Sequence, residues 1–238
     1  MGRKESRIQS WTSRFLLTIF IILTTQNLIS SPVDDHQERF EDVALKIWEY
    51  AELGYLEEKS SGLLQQELED SGFTIQSGIA GIPTAFIAEY NNGGPVLGIL
   101  GEFDALPGLS QQNVPFKTAE GLSSANGHAC GHHLFGAASA WAVVAIKEWL
   151  EESGTPGTIR FYGTPAEEGG SGKVYIARDG YFDDVDIVLH WHPASGNSAD
   201  AQSSNSNKSG KFTFSGISAH AASAVSYTHL RAHETPVN

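Results

Sequence analysis

The chain has 238 residues and a formal charge of −13, with 28 acidic against 15 basic residues. That balance argues against nucleic acid and anionic membrane surfaces as partners, while a small anionic substrate stays open because a bound dication reverses the local field. A composition 40% hydrophobic and 18% charged is globular, and a single cysteine excludes an internal disulfide, so Cys130 serves chemistry or packing.

Arg3, Lys4, Arg7 and Arg14 precede the apolar run Phe15–Leu23, which gives way to Ser30, Ser31 and Pro32. A basic segment, a short apolar core and a polar exit read as a signal peptide over residues 1–31. The core falls well short of the ~20 residues a spanning helix needs. Export to the periplasm or the medium is therefore expected, with no stable membrane partner. Leu28, where the cleavage rule prefers a small residue, keeps an uncleaved anchor as the alternative.

From Asp34 to Tyr50, the positions Phe40, Val43, Ile47 and Tyr50 fall at helical spacing with acids in the first turn. Gly54 ends that pattern. Leu63, Leu64 and Leu68 mark a second amphipathic helix over Ser60–Ser71, stopped by Gly72. A strand starts at Phe73, another alternates over Pro83–Tyr90, and Asn91-Asn92-Gly93-Gly94 reads as a hairpin turn into a buried strand, Pro95–Gly101.

Next comes Gly127-His128-Ala129-Cys130-Gly131-His132-His133, with the only cysteine and three of the nine histidines. The run Leu134–Leu150 after it is apolar or small almost all round and reads as a buried helix. The cluster thus lies on the loop entering that helix, where free backbone N–H groups and the dipole are expected to lower the Cys130 pKa. Cys130 and His132, one glycine apart, suit a transition metal such as Zn or Mn.

A strand over Gly157–Gly163 ends in Thr164-Pro165-Ala166-Glu167-Glu168-Gly169-Gly170, a short helix finishes at Tyr175–Asp179, and a strand over Asp186–Leu189 delivers His190-Trp191-His192-Pro193. Three strands therefore end in Glu102/Asp104, Glu167/Glu168 and His190/His192. Open α/β sheets keep their sites at such carboxyl ends, so the joint reading is a metal site on a sheet edge. Residues 197–209 read as a Ser/Asn-rich linker, and Lys211–Phe214 with Ser218-Ala219-His220-Ala221-Ala222 as the opening of a second domain.

The set Glu-Phe-Asp-Ala-Leu-Pro, His-Ala-Cys-Gly-His, Pro-Ala-Glu-Glu-Gly, Trp-His-Pro and Ser-Ala-His-Ala-Ala, running in order from about Phe40 to Ala224, resembles the M20 metallopeptidases in their amidohydrolase and aminoacylase subgroup. The resemblance implies an α/β, zinc-peptidase-like catalytic domain over 32–208 and the start of an inserted ferredoxin-like lid, or dimerisation, domain over 209–224. It implies two divalent ions, Mn or Zn, and hydrolysis of an N-acyl amino acid. The lid would pair the chain with a second copy or a related subunit. By position, Cys130 resembles the ligand bridging both ions, His132 and Glu168 resemble ligands, Glu167 the general base, and Asp104 the acid behind the ligands. His192 resembles the next ligand, with His190 as its alternative, and His220 the lid histidine that steadies the substrate carbonyl. Two departures are expected to matter: the family's last ligand histidine has no counterpart here, and residues 225–238 do not resemble the lid, so the chain reads as ending early.

Two rival readings stand beside the metal-dependent amidohydrolase. One is a binding protein on the same fold with a dead site. The other is a cysteine hydrolase using Cys130 with His128 or His132 as base, which leaves Glu167 and Glu168 without work.

Overall fold

The computed structural model describes residues 33–116, 118, 125–199, 210 and 213. The leader, Lys211, Phe212, Phe214 and His220 lie outside the described residues. The chain divides into two units between Ser195 and Gly196, and every element below belongs to the first.

Helix α1 (Gln37–Tyr50) buries Phe40, Val43, Ala44 and Ile47 on one face, as its spacing predicts. It stops at Ala51, which turns left-handed at φ 42°. Helix α2 (Glu58–Asp70) buries Leu64 and Leu68. The Glu52 carboxylate accepts the backbone N–H groups of Lys59 and Ser60 at 3.0 and 2.9 Å, satisfying donors that the first turn of α2 leaves free.

The sheet holds β1 (Thr74–Ser77), β2 (Phe86–Asn91), β3 (Val96–Gly101), β4 (Thr158–Gly163) and β5 (Ile187–Leu189), in the order β1-β2-β4-β3-β5. The hairpin expected at Asn91–Gly94 does not form. β4 lies between β2 and β3, antiparallel to the first and parallel to the second. The turn arches over the start of β4: Asn92 N–H donates to Gly157 O at 3.2 Å, and Thr158 N–H donates to Pro95 O at 2.9 Å. Gly94 is required there, since its φ is 68° and a Cβ would lie 2.5 Å from Pro156 O. The Asn-Gly chemistry reports a reversal of direction. It cannot report that a later strand, buried on both faces, takes the place between its arms.

Strand alternation assigns the two faces. Phe86, Ala88, Ile99, Ile159 and Phe161 join Phe40, Ile47, Leu64, Leu68, Val143 and Val144 in one core. Ile87, Leu100 and Tyr162 join Ile79, Ile82 and Ile176 in a second core on the opposite face. Each fully buried Leu or Phe contributes about 1.5–3 kcal/mol through its burial. The edge strand β5 is exposed along its length.

Helix α3 (His132–Ser153) lies over β3 and β4 and leads with the histidine cluster. Gly136, inside it, lets the helix approach the end of β3: a Cβ there would come within 2.7 Å of the Glu102 carbonyl oxygen. Helix α4 (Gly172–Arg178) follows the β4 loop. Because β4, β3 and β5 are parallel neighbours, the residues that follow all three emerge at one edge.

Candidate metal centre

That edge gathers His132, Glu102, Asp104, Glu167, Glu168, Cys130 and His192. His132 is fully buried at its middle. Its Nδ1 lies 2.9 Å from Asp104 Oδ1 and 3.1 Å from the Asp104 carbonyl oxygen. Both partners can only accept, so Nδ1 carries the proton and Nε2 is aimed at the acids. Nε2 stands 2.9 Å from Glu102 Oε2, 3.8 Å from Glu167 Oε2 and 3.9 Å from Glu168 Oε1.

The same logic fixes His192. Its Nδ1 donates to Pro193 O at 2.9 Å, which leaves the Nε2 lone pair facing Cys130 Sγ at 3.3 Å. Cys130, His132 and His192 each offer a ligand atom within 4.8 Å of the others, and so do Glu102, His132 and Glu167. His190 meets this edge through Glu102. Its Nε2 meets Glu102 Oε1 at 3.2 Å, and its ring lies edge-on to Phe135.

Glu102 is named at the strand end by the sequence but receives no role there. The structure buries it at 1% exposure, where Oε1 takes Lys173 Nζ and His190 while Oε2 faces His132. Its signal is the Glu-x-Asp spacing at the end of β3. Lys173 has no sequence signal, because its role depends on α4 folding over that acid.

Electrostatics follow the geometry. Burial opposes charge on His132, yet Asp104 and Glu102 overcome it and raise its pKa to about 10. Burial also acts on Glu102, but the contacts with His132, His190 and Lys173 win and hold it well below the usual carboxylate range. Burial and the neighbouring Glu102 charge push Glu167 up. The expectation of a lowered Cys130 pKa fails. Burial, then Glu168 and Glu167, push the thiol up to about 11, because nearby acids outweigh the helix terminus. His128, a base in the cysteine-hydrolase reading, instead directs Nε2 at Ile47 O, 3.0 Å away.

Among the described residues, His132 Nε2, Glu102 Oε2 and Glu168 Oε1 are buried without a hydrogen bond, the 2.9 Å approach of His132 Nε2 to Glu102 Oε2 being an ion-pair contact that lacks hydrogen-bond geometry. Such orphans are costly in a folded interior. Here they converge, and they are nitrogen and carboxylate donors of the kind that hold zinc or manganese. The donor set fits a divalent ion.

The chain belongs to peptidase family M20/M25/M40, whose signature matches residues 98–233, more than half of its length. It is 43% identical to one component of the p-aminobenzoyl-glutamate hydrolase of Escherichia coli K12 over 196 residues, covering 82% of this chain and 41% of that protein. It is 33% identical to the human Xaa-Arg dipeptidase over 184 residues, 70% of this chain and 38% of that one. Among solved structures, a Bacillus subtilis dinuclear metal-binding peptidase of the M20 family superposes with TM-score 0.55 at 26% identity, covering 65% of this chain and 42% of its own. The chain thus spans about two fifths of the length of these relatives.

Proposed function

We propose that this chain supplies the metal-binding edge of a metal-dependent amidohydrolase that cleaves an N-acyl amino acid, with p-aminobenzoyl-glutamate or a related conjugate as the substrate class. The observation that carries this reading is the convergence of orphaned ligand atoms from His132, Glu102 and Glu168 beside Cys130 and His192. The likeness to the E. coli hydrolase component supports the substrate class.

Cys130, His132, Glu168 and His192 are the proposed ligands of two divalent ions, Zn or Mn. Once bound, the ions polarise the scissile carbonyl and lower the pKa of the attacking water. The remaining work falls to side chains. Asp104 holds His132 in the tautomer that ligates. Glu167, with its side chain 45% exposed and its pKa raised, takes the proton of the attacking water and returns it to the leaving amine. His190 reads as a support for Glu102 rather than a ligand, since its Nε2 is spent there. His220 is proposed, on the family resemblance, to steady the substrate carbonyl.

The cysteine-hydrolase reading loses ground, because His128 spends Nε2 on Ile47 O, His132 spends Nδ1 on Asp104, and the surroundings of Cys130 keep its thiol protonated. A pairing with a second copy or a related subunit is the proposed assembly. The basic and apolar leader supports export.

Metal analysis with turnover tests the reading. Two equivalents of Zn or Mn per full-length chain, and chelator-sensitive hydrolysis of p-aminobenzoyl-glutamate, are expected. A folded protein that binds no divalent ion overturns it.

A further inference from the structure

Glu57 lies outside the metal centre and is completely buried. Among the described residues no lysine or arginine answers it; its carboxylate accepts from Ala166 N–H at 2.8 Å through Oε1 and from Thr84 Oγ–H at 3.1 Å through Oε2. Burying a carboxylate is costly, and burial raises its pKa. An acid kept there on neutral donors alone calls for an explanation in what it holds.

What it holds is Ala166, the residue before Glu167 and Glu168. Ala166 adopts φ 58°, a left-handed conformation that a residue with a Cβ seldom takes. It is wedged between two glycines: a Cβ on Gly54 would fall 2.9 Å from Ala166 Cα, and one on Gly170 would fall 2.7 Å from Ala166 Cβ. Tyr55 Oη–H donates to Gly170 O at 2.5 Å on the far side of the loop. The same segment reaches the β3 end, where Ala105 N–H donates to Glu52 O at 2.8 Å. Residues 52–57 therefore brace both acidic loops from below.

We infer that Glu57 is a positioning residue: its bond to Ala166 N–H holds the strained backbone that aims Glu167 and Glu168 at the metal centre. The inference rests on the reading of that centre as a metal site. Without the bond, Ala166 relaxes to negative φ and the two glutamates turn away from His132.

Three variants in the full-length chain separate this from a plain stability role. Glu57→Leu removes both acceptors. Glu57→Asp keeps the charge but draws it back by one methylene, out of reach of Ala166. Glu57→Gln keeps an acceptor at the original reach, while Thr84 can rotate its hydroxyl to accept. Calorimetric titration with zinc is expected to show a 10–100-fold loss of affinity in the Leu and Asp variants, the usual effect of losing a group that orients a ligand. The Gln variant is expected to stay within about threefold of wild type, by comparison with that range. Amide exchange in the metal-free chain is expected to show Ala166 protected in wild type and Gln and unprotected in Leu and Asp.

Should the Leu variant fail to fold, the Asp variant decides. Wild-type zinc affinity in a folded Asp variant, or unchanged Ala166 protection, overturns the inference, as does a Gln variant as weak as Asp. If wild type itself binds no zinc, the metal reading fails, and Ala166 exchange still judges the brace.

Discussion

Asp104 holds Glu168 from behind: its Oδ2 accepts the Glu168 backbone N–H at 2.9 Å, while its Oδ1 lies 2.9 Å from His132 Nδ1. One buried carboxylate thus ties the end of β3 to the β4 loop and to the first residue of α3. Asp104→Asn cannot serve both donors, because one end of its amide is itself a donor. The expected outcome is a folded chain with a 10–100-fold loss of zinc affinity by calorimetry. Affinity equal to wild type would show that the pairing has no bearing on the centre.

Glu167 and Glu168 differ in what they touch, and their variants should differ accordingly. Glu167→Gln keeps the size of the side chain but cannot take a proton, so bound metal should be retained while kcat falls by ~10²–10⁴. Glu168→Ala should lose metal. Metal content by atomic absorption beside steady-state kinetics checks both, and near-native turnover in metal-loaded Glu167→Gln would reassign the base.

The Cys130 thiol gives a test that needs no substrate. With its pKa pushed up to about 11, little thiolate exists at pH 8 in the metal-free chain. Relative to an unhindered thiol near 8.5, iodoacetamide should react on the order of 10²-fold more slowly. The rate should climb steadily as pH rises from 8 toward 11, and zinc should suppress it at every pH. Rapid alkylation at pH 7 would mean that the acids around Cys130 do not act as described.

Gly136 tests the packing that brings α3 to the β3 end. In an open helix, alanine would be favoured over glycine by about 1 kcal/mol. Here the new Cβ would meet the Glu102 carbonyl oxygen at 2.7 Å, a backbone atom that cannot swing aside. Overpacking of this kind costs about 1–3 kcal/mol, so Gly136→Ala should be net destabilised in urea titrations and weaker for zinc. A stabilised variant would show that helix and strand can part without consequence.

Local pattern made much of this legible. The 3.6-residue spacing of Phe40, Val43 and Ile47 marks α1, the apolar run after His133 marks α3, and the acids and histidines after three strands mark their shared edge. What depends on distant partners stayed hidden. Asn91–Gly94 speaks only for its own reversal, so the insertion of β4 could not be read there. Helix position alone suggested an acidic thiol, because the glutamates that oppose it arrive from the β4 loop. His190 and His192 are chemically equal in sequence and part company only when Pro193 O takes one ring and Glu102 the other. Glu57, in Leu-Glu-Glu-Lys-Ser, carries no signal of its own in the sequence; only the fold brings Ala166 above it.

The convergence of β3, α3, β4 and β5 on one edge has a consequence for how the fold holds together. With the proposed ligands, a cation held there would join Cys130 and His132 at the head of α3 to Glu168 after β4 and His192 after β5, segments far apart along the chain. It would act as a cross-link in a chain whose lone cysteine cannot form one internally. Folding and metal uptake then become one equilibrium: an ion at 100 times its Kd adds about 2.7 kcal/mol to unfolding, and a chelator takes the same amount away. The melting temperature of this protein should therefore track free metal concentration, even when no substrate is present.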